Sequence, residues 1–270
     1  VMEMSTRAGT FELPEDAAPM FDVYRTLYDA TNGAFTPLIG QLMSDAGYDA
    51  AYSLKPSSTP LNTPPAWDDV LSSSPTFPLL IGRRGQSPPL AGSRLMAGGW
   101  SSGVTVTTSR PVLLDFGAAG KGHLVDIVAE IVASHGIVSF CVDAGGDMVC
   151  RGPEAIRVGL ENPRAFDEAI GVASVQNGSV CGSSGSRRAW GDFHHTIDPR
   201  TLASPRHVLA TWTFASTALV ADALATCLFL VPADALKTVY TFEYVILYAD
   251  GTVEASPKAP VEIFYAEPHR

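Results

Sequence analysis

One run limits this chain more than any other: FASTALVADALATCLFLV, from Phe214 to Val231. It is apolar and about long enough as a helix to approach the thickness of a bilayer core. A single carboxylate, Asp222, stands at its middle. An Asp at the centre of a membrane span costs roughly 3 kcal/mol on insertion scales. The run therefore reads as a buried core helix, with Ser216 as its N-cap, and no transmembrane segment is expected. A helix that is apolar on all sides needs a large core around it. The chain can supply one: 270 residues, 46% of them hydrophobic, suffice for one large core or for two lobes sharing an interface. With only 17% charged residues it is not a disordered chain.

Asp222 and Thr226 are four apart, so on a helix they share one face. A buried carboxylate without a partner is costly. Two readings stay open, a hydrogen-bonded structural Asp and a metal ligand. Carboxylate plus hydroxyl is hard oxygen chemistry, which suits Mg²⁺.

The remaining pattern mixes helices and strands without strict alternation. Phe21, Tyr24, Leu27, Tyr28 and Thr31 fall near helical spacing, and Asn32-Gly33 supplies a left-handed cap. Lys55 to Gly103 is rich in Pro, Ser and Gly. It reads as irregular connection with short strands and as the place for a waist between lobes. Val112 to Asp115 read as a strand end, Gly117 to Gly122 as a turn, and Leu124 onward as a helix stopping at His135-Gly136. IVSFCVDAGGDMVCRG reads as strand, glycine turn, strand. IRVGLENPR and GVASVQNGSV read as further strands, and FEYVILYADGTVEAS as a hairpin turning at Asp250-Gly251. This is an α+β pattern of mixed, largely antiparallel sheets with packed helices. Cys141, Cys150, Cys181 and Cys227 form no CxxC pair and read as buried, reduced thiols.

The net charge is −10 and the pI near 5.0. Lys and Arg form no run, only pairs such as Arg83-Arg84 and Arg187-Arg188, so nucleic acid is excluded as a partner. An acidic chain handling phosphates would need a metal or backbone amides to offset its charge. LDFGAAGKGHLVD offers such amides: strand, small-residue turn, helix, with Lys121 at the helix start where a cation opposes the macrodipole. It is neither a Walker A loop nor GxGxxG. DAGGD, Asp143 to Asp147, is either a hairpin turn or a close backbone approach to a ligand. CGSSGSRR, Cys181 to Arg188, is either a surface loop or a binding edge for phosphate or a ring. In HHTIDPRT, Asp198-Pro199 begins a turn, and Arg200 could pair with Asp198 or with a phosphate. The two histidines, on extended backbone, point to opposite faces. No leader with a basic start and an apolar stretch is visible, and cytoplasmic is the default expectation.

TNGAFTP, LDFGAAGKGHLVD, DAGGD, SSGS, HHTIDPRT and ADALAT occur together and in this order. The set resembles the ApbE family of FAD:protein FMN transferases over about Thr31 to Val231. The resemblance implies a single two-lobed catalytic domain over residues 1–270. It also implies binding of FAD with Mg²⁺, and transfer of FMN to a Ser/Thr hydroxyl of an acceptor protein with release of AMP. An FAD pyrophosphatase using the same site, and a flavin binder that has lost catalysis, are the alternatives. Carried over by position, Asp222, Thr226 and the carbonyl of Gly120 would hold the metal. His195 would be the general base facing in, with His194 facing out, and Asp198 would orient their loop. Lys121, Gly145, Gly146, Asp147, Ser184, Gly185 and Arg200 would serve FAD. The sequence departs from the family pattern at Thr36, Gly120, Asp143 and Leu202. The segment before the first helix is short for the family, so its start reads as truncated or differently walled.

Overall fold

The computed structural model of the protein describes residues 2–57, 60–75 and 104–265. Much of the Pro-, Ser- and Gly-rich stretch, with the waist expected there and Arg83-Arg84, lies outside the described residues. Among them the helices are α1 (Ala18–Ala30), α2 (Gly40–Asp45), α3 (Trp67–Val70), α4 (Gly120–Ser134), α5 (Ala218–Cys227) and α6 (Ala233–Lys237). The strands are β1 (Gly9–Leu13), β2 (Leu71–Pro75), β3 (Val104–Thr108), β4 (Phe140–Asp143), β5 (Asp147–Arg151), β6 (Ile156–Asn162) and β7 (Ala165–Val175). There follow β8 (Gly178–Ser184), β9 (Ala189–Trp190), β10 (Phe193–His194), β11 (Val208–Ala215), β12 (Glu243–Tyr248), β13 (Val253–Ala255) and β14 (Val261–Ile263).

A six-stranded sheet, ordered β13-β12-β11-β8-β5-β4, forms the middle layer. Every described strand pairing in the protein is antiparallel. One face of the sheet carries α4 and α5, through Val125, Ala129, Val149, Cys181, Ala218 and Ala221. The other face packs on a three-stranded sheet, β14-β7-β6, where Leu160, Ile170 and Ala173 meet Val180, Trp212, Val245 and Leu247. The largest core lies beyond α5, where α1, α6 and the sheet β1-β3-β2 close around Leu224, Phe229 and Leu236. This is the expected α+β class.

Covering both faces explains why β11 is buried along almost its whole length. Its two core threonines spend their hydroxyls on α5: Thr211 Oγ1 donates to the Ala225 carbonyl, and Thr213 Oγ1 to that of Ala221. The sheet is thus fixed in register to the helix that carries Asp222.

The apolar run is divided. Phe214 and Ala215 end β11, and only Ala218–Cys227 is helical. No described helix is long and apolar enough to cross a membrane. The N-cap is Thr217 rather than Ser216. Its hydroxyl accepts from the Val220 N–H, while Asp126 on α4 accepts from Ala218 and Leu219. A carboxylate from another helix therefore completes the cap and decides which residue occupies it.

Two further expectations change. Val112 to Asp115 pair with no strand. They run irregularly, tied by Val112 N–H to the Met4 carbonyl and Asp115 N–H to that of Pro37. Cys141 is exposed, because β4 is the edge of the large sheet, while Cys150, Cys181 and Cys227 are buried.

Candidate functional site

A cleft of about 530 Å³ opens where α4 begins and along the middle and end of α5, beside the β4–β5 turn, the end of β8 and the segment after β10. That volume is of the size small-molecule sites occupy. Lys121, Gly145, Gly146, Ser184, Arg188, His195, Asp222 and Thr226 all line it.

The β4–β5 turn reaches the cleft on backbone alone. Gly145 and Gly146 have φ of 73° and 100°, a left-handed region where a Cβ is penalised. A Cβ at either would meet nothing within 4 Å, so conformation rather than crowding requires glycine. Gly146 N–H donates to Asp143 Oδ1 at 2.9 Å, and the Gly146 carbonyl accepts from Gly182 on β8.

Asp222 reaches the cleft because α4 and α5 touch through Gly122. A Cβ there would lie 2.2 Å from the Ala218 carbonyl oxygen. At this contact Gly122 N–H donates to Asp222 Oδ2 at 2.9 Å. Burial pushes the Asp222 carboxyl up to about 6, against the pull of Lys121, the Gly122 N–H and Arg188. Its second oxygen and the Thr226 hydroxyl are engaged by no other described residue. Two hard oxygens one helical turn apart, unspent and facing the cleft, fit a small divalent cation. The described residues hold no group of three or more His, Cys, Asp or Glu that could cage a metal. A cation here would rest on one carboxylate, with hydroxyl, carbonyl, water and substrate oxygens completing its shell.

His195 lines the cleft. Its Nδ1 is buried without a hydrogen-bond partner. Burial, with Arg188, His194 and Lys121 nearby, pushes the imidazole down to about 4. It is neutral at pH 7. His194 is not part of the lining, in keeping with its facing out of the cleft. It is buried against Phe229, with Nε2 2.8 Å from the Pro205 carbonyl and Nδ1 accepting from Thr196 N–H. Both nitrogens are spent, so His194 holds the loop rather than serving the cleft.

Five other expected residues stand outside the lining. Asp198 accepts the backbone N–H and three guanidinium hydrogen bonds of Arg200, whose Nη2 also donates to the Leu230 carbonyl. Arg200 and Asp198 thus brace one another within the loop, and neither lines the cleft. Asp147 is wholly buried, outside the lining, and ion-paired with Lys121. Gly185 abuts the His194 ring. Gly120 opens α4, where its N–H donates to the Phe116 carbonyl. Conversely, Tyr48, Trp212, Asp115 and Arg188 line the cleft. The Arg187-Arg188 pair carried a signal. Both arginines line the cleft; Arg187 is engaged there by Glu161 and the Phe166 ring. Nothing local marks Tyr48 or Trp212, which arrive through tertiary packing.

A sequence model of the ApbE family matches residues 1–245. The FAD:protein FMN transferase of Rhodobacter capsulatus is 27% identical over 228 residues, covering 81% of this chain and 39% of that protein. That of Escherichia coli K12 is 30% identical over 145 residues, covering 50% and 41%. The chain thus spans about two-fifths of the length of the curated relatives it matches. Among solved structures, the flavinyl transferase ApbE of Pseudomonas stutzeri superposes with a TM-score of 0.69 at 17% identity, over 95% of this chain and 78% of that one. The ApbE protein of Thermotoga maritima gives 0.66 at 22% identity, over 92% and 78%. These likenesses show the shared fold.

Proposed function

The chain belongs to the ApbE family, and from that premise we propose that it moves FMN from FAD to a Ser or Thr hydroxyl of an acceptor protein, releasing AMP in a Mg²⁺-dependent reaction. The observation that carries the reading is the grouping in one cleft of a neutral imidazole, His195, and two unspent hard oxygens, on Asp222 and Thr226. The names of the curated relatives support it.

The acceptor hydroxyl gives its proton to His195 Nε2 as its oxygen bonds to the FMN phosphorus. The bond from that phosphorus to the bridging oxygen breaks, and AMP leaves with that oxygen. A Mg²⁺ held by Asp222 and Thr226, with the Gly120 carbonyl as the third ligand implied by the resemblance, would neutralise charge on the pyrophosphate. An imidazole held near 4 is fully unprotonated at pH 7 but a weak base. The cations that depress it, Lys121 and Arg188, are those a pyrophosphate would neutralise. Substrate charge would relieve the cationic part of that depression as the site fills, while burial, its larger cause, persists. Arg188 and Lys121 would meet the phosphates, and Gly145-Gly146 would let them approach the backbone.

The test is AMP release from FAD by the purified protein, with Mg²⁺ or EDTA, for wild type and Asp222→Ala, with and without a Ser/Thr peptide. Release that needs Mg²⁺, Asp222 and peptide, with flavin bound covalently to the peptide, is expected. Peptide-independent release would make the protein a pyrophosphatase. FAD binding without AMP under every condition would overturn the catalytic reading.

A further inference from the structure

The β4–β5 hairpin carries two thiols that the flavin chemistry does not use. Cys141 and Cys150 are direct cross-strand partners, and their Sγ atoms lie 3.1 Å apart as free thiols. Opposed residues in an antiparallel pair have Cα atoms about 4.5–5.5 Å apart. That lies inside the range of about 4.4–6.8 Å that a disulfide spans. Closing a bond between them needs no strand to move. Cys141 is exposed on the edge strand, while Cys150 is 1% exposed in the core between the two sheets.

We propose that Cys141 and Cys150 form a redox-active dithiol that a low-molecular-weight disulfide oxidises reversibly to a cross-strand disulfide. The Cys141 thiolate, the accessible one, attacks the external disulfide and expels one thiol. The Cys150 sulfur then attacks Cys141 Sγ and expels the second. Two protein thiols lose two electrons and two protons, and the external disulfide becomes two thiols. Burial pushes the Cys150 thiol up to about 12, in line with its acting second. The bond would pin both strands just behind the turn that presents Gly145 and Gly146 to the cleft. It would also pin Asp147, which holds Lys121. The oxidised hairpin opens less readily, because its strands can no longer part.

The test equilibrates the whole chain in glutathione buffers of stepped potential and traps the remaining thiols with a maleimide for mass analysis. Cys141 and Cys150 should vanish together in one two-electron transition that dithiothreitol reverses. Cys150→Ser should leave a glutathione mixed disulfide on Cys141, and Cys141→Ser should abolish the transition. In hydrogen exchange, the Gly146 amide, bonded to Asp143, should slow by roughly tenfold on oxidation of the wild type and not of Cys141→Ser. Thiols that stay alkylatable at the most oxidising potential would overturn the proposal. So would a wild type that stops at the mixed disulfide, or that links only between copies.

Discussion

The contact between α4 and α5 makes a prediction whose sign is in question, which gives the test its force. Replacing Gly by Ala inside a helix ordinarily stabilises by about 1 kcal/mol. At Gly122 the new Cβ would stand 2.2 Å from the Ala218 oxygen, 2.6 Å from its carbon and 2.7 Å from Asp222 Cβ. Comfortable non-bonded separations are about 3.5 Å, so α5 would have to retreat by roughly 1 Å. It cannot do so freely. Asp126, one turn along the same helix, holds the N–H groups of Ala218 and Leu219 at 2.9 and 2.8 Å. Overpacking of this kind costs about 1–3 kcal/mol. Losing the Gly122 N–H bond to a carboxylate adds about 1.5–3 kcal/mol. Gly122→Ala should therefore lose about 2–4 kcal/mol net, read as a lower urea midpoint. Gly120, two residues earlier in the same turn, is the control. A Cβ added there would find Phe116 Cβ as its nearest neighbour, at 3.9 Å, and the φ of Gly120 is ordinary. Gly120→Ala should be neutral or gain up to about 1 kcal/mol. A Gly122→Ala protein as stable as its Gly120→Ala counterpart would refute the argument that this contact positions Asp222.

Asp222→Asn should raise stability at pH 8 while abolishing Mg²⁺-dependent turnover. Burial lifts the folded carboxyl from 3.8 to about 6, so the ionised form opposes folding, and stability is lost as pH rises through that window. At about 1.4 kcal/mol per pH unit the cost is on the order of 3 kcal/mol; calorimetry should show the gain at pH 8 and not at pH 4. His195 runs the other way. Its folded form resists protonation down to about 4, while the unfolded chain takes the proton near 6.5. Stability present at pH 7 is lost as pH falls from 6.5 toward 4, and His195→Gln should flatten that part of the urea-midpoint profile. Arg200→Ala should cost about 1–3 kcal/mol in thermal unfolding, since it strips the buried Asp198 carboxylate and the Leu230 carbonyl of a donor. Arg200→Lys should rescue little of this, because a single ammonium cannot reproduce the forked contact.

Elements whose signals are local were legible in the sequence. α1 stops where Asn32 and Gly33 adopt φ of 51° and 81°, and the β12–β13 hairpin turns at a glycine with φ of 90°. The spacing of Asp222 and Thr226 needed only a helix to put both at the cleft. The misreadings share one physical cause. Ser216 and Thr217 are both competent caps, and Asp126, remote in sequence, selects between them. Val112 to Asp115 have the composition of a strand but no edge to pair with. Cys141 has a neighbour on only one side, which no composition reveals.

The same reasoning decides which polar residues of the motifs can meet a ligand. A group that has found its partner inside the protein has little left to offer. Asp147 is spent on Lys121, Asp198 on Arg200, and both nitrogens of His194 on the backbone. Asp126 is spent on the start of α5. Each of these pairings is tertiary or turns on loop geometry, and each removes a residue whose type alone suited it to phosphate or metal. What stays unspent around the one cleft includes the second oxygen of Asp222, the hydroxyls of Thr226 and Thr196, His195 and Arg188. Asp222 is held at the cleft by Gly122, whose N–H it accepts where an added Cβ would press on the Ala218 carbonyl. The motifs name the chemistry available to this chain, and the internal pairings select which part of it faces a substrate.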